Sequence, residues 1–274
     1  MKRYRIFSFD FDTRVYSLTE DIRDEWEESV KESHRSNRRQ IEQNLIESFG
    51  AQSAEAKQKN FIALGPKPMS IVAYHNRFFE QIRVAFITGA YYPALTAACA
   101  LGERLLNYLI LHLRDDFRNT PEYKKVYRKD SFDNWDTPIE TLAAWNVLLP
   151  EAIQAFGRLK LMRHDALHFR QEVDRDDRQL ALDAILCIGE VISQQFGAWG
   201  RQPWFLGIPG EIYVKKDWES NPFVRKIYLP NSLLVGPYHK VESVIPWKIV
   251  DDFQYENREI NDEEFCDLRK SMRG

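Results

Sequence analysis

Cysteine is scarce. The 274 residues hold three, Cys99, Cys187 and Cys266, widely spaced and without a Cys-x-x-Cys pair. That excludes a disulfide framework and a zinc ribbon, and it fits reduced thiols in a cytoplasmic setting. Charge of one sign is lacking too. Against 38 Lys and Arg stand 41 Asp and Glu, a net charge of −3. No global field therefore draws a nucleic acid, and such a ligand requires a local cationic site. No long apolar run follows the basic start at Met1, so no signal peptide is expected. The most apolar region, Leu105 to Leu113, is interrupted by Asn107, Tyr108 and His112 and is read as short of a membrane span. No Walker loop, glycine-rich dinucleotide loop, internal repeat or low-complexity tract occurs, and neither cofactor nor metal is expected.

What is present is ordinary globular material, 44% hydrophobic and 13% aromatic. Residues 3–9 are aromatic and β-prone and predict one strand. Thr19 to Phe49 predicts a long polar helix stopped by Gly50, with the basic run His34 to Arg39 on a solvated face. Gly65-Pro66-Lys67-Pro68 marks a break. Helices are then expected over Ser70 to Thr88, ended by Gly89-Ala90, and over Ala94 to Phe117, with Pro93 as its first residue. Thr137-Pro138-Ile139-Glu140 has the form of a capping box opening a short helix. Pro150 opens another helix to about His168. Asp174 to Asp177 supplies an N-cap for the last bundle helix, Arg178 to Trp199. Beyond Gly200 the texture changes. Residues 203–250 carry six of the twelve prolines and short β-prone runs at Glu211 to Val214, Val224 to Leu229, Ser232 to Val235 and Val241 to Ile245. Glu259 to Lys270 predicts a final polar helix. The expected organisation is mainly α: an N-terminal strand and helical extension over 1–66, a helical bundle over 67–200, and a small β-rich extension over 201–274.

One segment concentrates chemistry. Arg163-His164-Asp165-Ala166-Leu167-His168 places an arginine, two histidines and an aspartate at the end of a helix that packs through Ile153, Phe156 and Leu159. His164 and His168 are four residues apart and share a helix face. Arg163 is about 140° round from His168, within reach of a long side chain. Histidine serves as acid or base near neutral pH, and a guanidinium grips phosphate through two N–H groups. Arginine and histidine together are a minimal kit for cleaving a phosphodiester without metal.

On these residues the chain resembles the HEPN superfamily, helical bundles that carry Arg-x4-6-His with a polar residue beside the arginine, here His164. An earlier helix is also similar: Ala94-Leu95-Thr96-Ala97-Ala98-Cys99-Ala100-Leu101-Gly102-Glu103-Arg104-Leu105-Leu106. The resemblance covers residues 70–199. It implies a HEPN-like bundle and a metal-independent endoribonuclease acting on RNA as a homodimer, of the kind found among toxins and antiviral-defence effectors, with an antitoxin or regulatory protein as a further partner. It implies Arg163 and His168 as catalytic, with His164 and Asp165 orienting them or touching RNA, and Glu103 positioning Arg163 through a salt bridge. Some members are non-catalytic RNA- or protein-binding modules, which is the main alternative.

Other readings compete. Arg163 and Asp165 as surface charges, with His164 and His168 capping the helix, is the plain one. His164-Asp165 also spells the pair of HD-type metal-dependent phosphohydrolases, for which His112 and Asp183 are the nominal further ligands, although His112 is expected in the core. His-Asp-x-x-His is one methylene short of the zincin pattern and has no third ligand. Asp10-Phe11-Asp12 resembles the Asp-x-Asp of haloacid-dehalogenase-type phosphatases, but no alternating α/β pattern follows, and a strand ending in a turn is the simpler expectation.

Overall fold

A computed structural model describes residues 1–7, 10–71, 73–167, 176–198, 202–244 and 247–272. The chain is mainly helical with a few short strands. First come β1 (Arg3–Ile6), β2 (Asp10–Asp12), α1 (Arg14–Thr19), α2 (Glu28–Phe49), α3 (Ala54–Ala63) and β3 (Lys67–Ser70). The central helices are α4 (Ala73–Ile87), α5 (Tyr91–Leu113), α6 (Tyr123–Val126), α7 (Asp136–Ala144), α8 (Pro150–Leu167) and α9 (Asp177–Phe196). The tail holds β4 (Ser232–Val235), β5 (Lys240–Val244), β6 (Trp247–Val250) and α10 (Asp262–Ser271).

Helix α5 is the axis of the bundle and packs against α4, α7, α8 and α9. Its apolar positions recur at three and four residues, so Ala94, Ala98, Leu101, Leu105, Leu109 and Leu113 all fall inside. Each fully buried leucine contributes about 1.5–3 kcal/mol by leaving water. With its 3-10 extension, the helix Tyr91–Phe117 is long and apolar enough to cross a bilayer by length and composition, longer than the sequence suggested. Here the bundle buries that apolar surface instead: Leu105, Leu106, Leu109 and Ile110 are wholly inaccessible.

Helix ends follow local chemistry. Gly89 takes φ +87 after α4, where Gly89 N–H donates to Phe86 O and Ala90 N–H to Ala85 O, closing the helix with a left-handed turn. Asp176 caps α9 by accepting from Gln179 N–H at 3.0 Å. Buried amides lock the junctions. Asn60 Nδ2 donates to the carbonyls of Phe86 and Ile87, and Gln195 bridges Leu149 N–H and Val147 O.

Several expected boundaries move. The long N-terminal helix starts later than Thr19, at Glu28, and a separate short helix, α1, precedes it and ends at Thr19. Pro93 is the third residue of α5, not the first. Thr137 does not cap α7, which begins at Asp136 with no side-chain cap. Val224–Tyr228 is a π-helical turn rather than a strand, because Asn221 Oδ1 accepts from Phe223 and Val224 N–H and so starts a helix.

The two chain ends meet. β1 pairs antiparallel with β4, Arg3 opposite Val235 and Ile6 opposite Ser232. A second apolar cluster of Leu206, Ile208, Tyr213, Val235, Ile260 and Phe265 joins this sheet to α10. Beneath it lies a buried ionic network. Arg269 forks onto both oxygens of Glu211 at 2.8 and 2.7 Å, Arg5 Nη1 is 3.0 Å from Glu211 Oε1, and Tyr213 O–H donates to Glu211 Oε2. Burial pushes the Glu211 carboxyl up, but Arg269, Arg5 and Tyr213 outweigh it and hold the group at about 2.

Candidate functional site

Helix α8 carries Arg163 and His164 in its last turns, and α5 carries Glu103 opposite. Arg163 Nη2 lies 3.0 Å from Glu103 Oε2, with 29% and 28% of the two side chains exposed. The same oxygen accepts the Trp135 indole N–H at 3.2 Å. The Arg163 guanidinium carbon is 5.8 Å from the Trp135 ring centre, in reach of a cation–π attraction. One carboxylate oxygen therefore joins a cation from α8 to an aromatic from the segment ahead of α7.

The geometry depends on a close approach. A Cβ at Gly102 would stand 2.6 Å from Trp135 Cη2 and 2.7 Å from Leu159 Cδ2. Only glycine lets the indole and α8 settle this deeply on α5. Trp135 is 1% exposed and packs edge-on to Phe156 at 6.4 Å. One turn further along α5, Asn107 Nδ2 donates to Glu103 O and Asn107 Oδ1 accepts from Phe132 N–H, fixing the loop that delivers Trp135. Cys99, one turn before Glu103, is buried, and burial pushes its thiol up to about 12, Arg163 opposing. It is thus a neutral packing group.

The structure brings Glu103 and Arg163 together. His164 is exposed beside them on α8. Asp165 falls in the last turn of that helix, but its side chain, like the whole of His168, lies outside the described residues. Sequence reasoning missed Trp135 and Asn107. Gly102 did carry a signal, since a glycine inside an apolar helix is disfavoured unless something packs where its side chain would be.

The residues of the rival readings stand as follows. His112 is exposed at the end of α5, not in the core as expected; its Nδ1 contacts Tyr108 O at 2.9 Å and its ring, tilted by 40°, lies 3.9 Å from the Tyr108 ring centre. A histidine on the last turn faces solvent because the inward positions there belong to Leu109 and Leu113. Asp183 accepts from Gln179 Nε2 at 2.8 Å. Among the described residues no three His, Cys, Asp or Glu side chains gather as metal ligands. Asp10 pairs with buried Lys67, which also meets Glu80 at 2.8 Å, and Asp12 pairs with Arg14. These charges line a cleft of about 840 Å³ between β2, β3 and α4. A second cleft of about 720 Å³ lies between β3 and α9. Neither is lined by Glu103, Trp135 or Arg163.

Compared with family models, with curated proteins and with solved structures, the chain shows no significant match to any of them.

Proposed function

We propose that this chain is a metal-independent endoribonuclease of HEPN type, with its active site at the end of α8. The observation that carries the reading is the hold on Arg163. Glu103 Oε2 takes one side of the guanidinium and Trp135 shares that oxygen. A guanidinium has five N–H donors in a fixed fork, so the remaining ones stay available to a phosphate. Arg163 keeps 29% of its side chain accessible.

In the proposed reaction the ribose 2′-oxygen attacks the adjacent phosphorus and the P–O5′ bond breaks. His168, four residues past His164, takes the 2′-proton or returns one to the leaving 5′-oxygen. The products are a 2′,3′-cyclic phosphate and a 5′-hydroxyl. Arg163 lies against the non-bridging oxygens, where negative charge grows in the transition state. A second copy of the chain is proposed to complete the cleft. Leu161, 66% exposed on α8, and Leu186, 44% exposed on α9, supply apolar surface for it.

The test is incubation of the purified chain with labelled RNA in EDTA, beside Arg163→Ala and His168→Ala. Cleavage by the wild type that disappears in both variants supports the mechanism. Cleavage that requires added manganese overturns it.

A further inference from the structure

Two basic runs lie on this surface, and they differ in what neutralises them. In α2, Arg35 pairs with Glu28 and Glu32, Arg39 pairs with Glu32, and Arg38 donates to the carbonyls of Ser17 and Glu20. That run is internally satisfied. Around α6 the situation is reversed. Lys124, Lys125, Arg128 and Lys129 are all exposed, and among the described residues none has a carboxylate partner. Over residues 122–130 these four cations face only Glu122 and Asp130. In a chain of net charge −3, uncompensated cations so close together attract a polyanion locally.

Aromatic rings are interleaved with them. Tyr127 is 39% exposed, and the Arg128 guanidinium carbon stands 4.9 Å from its ring centre. The Tyr123 ring lies 5.6 Å away from it. Cations for the backbone and an accessible ring for a base are the two parts of a single-strand binding surface.

The segment is anchored and points toward the candidate site. Arg114 donates to Val126 O and Lys129 O at 3.1 and 2.6 Å, and the Val126 side chain is fully buried. Beyond Lys129 the chain runs through Phe132, held by Asn107, to Trp135, held by Glu103. Lys129 and Trp135 are six positions apart, so their Cα atoms are at most about 22 Å apart.

We propose that residues 123–129 form a binding surface for single-stranded RNA that carries the strand toward Arg163. The destination of the strand rests on the ribonuclease reading; the surface itself rests on the unpaired cations and Tyr127. The double-helical form is disfavoured as ligand because its deep major groove is closed to side chains, whereas a single strand offers both its phosphates and its base faces.

The test measures binding of a fluorescein-labelled uridine oligonucleotide by anisotropy across a salt series. It uses the full chain carrying Arg163→Ala so that no RNA is consumed. A second protein adds Lys124→Gln, Lys125→Gln, Arg128→Gln and Lys129→Gln, with matched thermal melting as the control for folding. Each phosphate contact contributes about 0.7 to the log–log salt slope for a single strand. The slope is therefore expected to fall by about 3, with more than tenfold weaker binding at low salt. Tyr127→Ala is expected to weaken binding about tenfold with the slope unchanged. Equal affinity and slope in the charge variant overturn the proposal. So does loss of binding to anionic phospholipid vesicles with RNA binding intact, which would assign the patch to a membrane surface. If RNA binding depends on the four cations but the wild type cleaves no RNA, the surface stands and the ribonuclease reading falls. If cleavage depends on Arg163 and His168 but binding ignores the four cations, the reverse holds.

Discussion

Arg163 and Trp135 make no hydrogen bond to each other; both engage one oxygen of Glu103, at 3.0 and 3.2 Å. That shared acceptor separates two functions of the carboxylate. Glu103→Gln keeps an acceptor for the indole and removes the charge that orients the guanidinium. On the ribonuclease reading proposed above, RNA cleavage is expected to fall about ten- to a hundredfold, the usual consequence of misplacing a group that acts on the substrate. Because the pair is more than a quarter exposed, the loss of stability stays below about 1 kcal/mol. Initial cleavage rates and melting temperature read the two effects apart. An unchanged rate would show that Glu103 does not position Arg163.

Gly102→Ala puts a methyl group 2.6 Å from the Trp135 ring and 2.7 Å from Leu159. Overpacking of this kind costs about 1–3 kcal/mol. Melting is expected several degrees lower, with cleavage reduced because Trp135 and α8 are both pushed away from α5. Melting equal to the wild type would mean that the helices do not approach this closely.

The buried histidines predict acid sensitivity. His239 donates from Nδ1 to Gly236 O at 2.7 Å, while Nε2 accepts from the Arg5 guanidinium, so the ring is neutral with its proton on Nδ1. A second proton would face Arg5. Burial first, and Arg269 and Arg5 with it, lower His239 to about 4 against the pull of Gly236 O; burial, Arg104 and His112 lower His75 to about 4. A depressed folded-state value means that the unfolded chain binds the proton more readily. Stability is therefore fully present above about pH 6.5 and declines as pH falls toward 4, by up to about 3 kcal/mol for each histidine. Melting temperature measured across this window checks the slope, which His239→Gln should reduce. A flat profile between pH 7 and 4 would contradict the burial of both rings.

Arg269→Met leaves Glu211 buried with its bidentate partner gone. The expected cost is about 3 kcal/mol, because a buried carboxylate loses one of the two cations that compensate its desolvation and keeps only Arg5. Adding Glu211→Met and Arg5→Met, so that no charge of the network is left buried alone, is expected to recover much of the loss. Denaturant unfolding of the wild type, the single and the triple variant provides the measurement; a triple variant worse than the single would mean that the network does more than neutralise Glu211.

The helices that bury a wide stripe were legible in sequence. Leu101, Leu105 and Leu109 in α5, and Ile185, Ile188 and Ile192 in α9, repeat at helical spacing and all lie in the core. The N-terminal region was harder. Helix α2 buries only Ile41 and Leu45, so little periodicity marked where it starts, and residues 20–27 contain neither Pro nor Gly to announce a boundary. Val224 to Tyr228 misled through its β-prone composition, while the informative residues were Asn221 and Pro222, an N-cap followed by a proline. At the site, spacing singled out Arg163, but only the fold could supply Trp135, because its hydrogen bond to Glu103 spans distant parts of the chain.

The pairing of Ile6 with Ser232 and of Arg3 with Val235 has a consequence for synthesis. At about 5–20 residues per second, β1 leaves the ribosome roughly 10–50 s before β4 is made. Throughout that interval the bundle helices emerge in order and can pack on one another, but the first strand has no partner and α10 does not yet exist. The sheet and the Arg5–Glu211–Arg269 network beneath it are closed after the bundle, by residues that follow it in the chain. A transcript cut short after α9 would thus yield a bundle whose leading strand stays unpaired, with an open edge available to neighbouring chains.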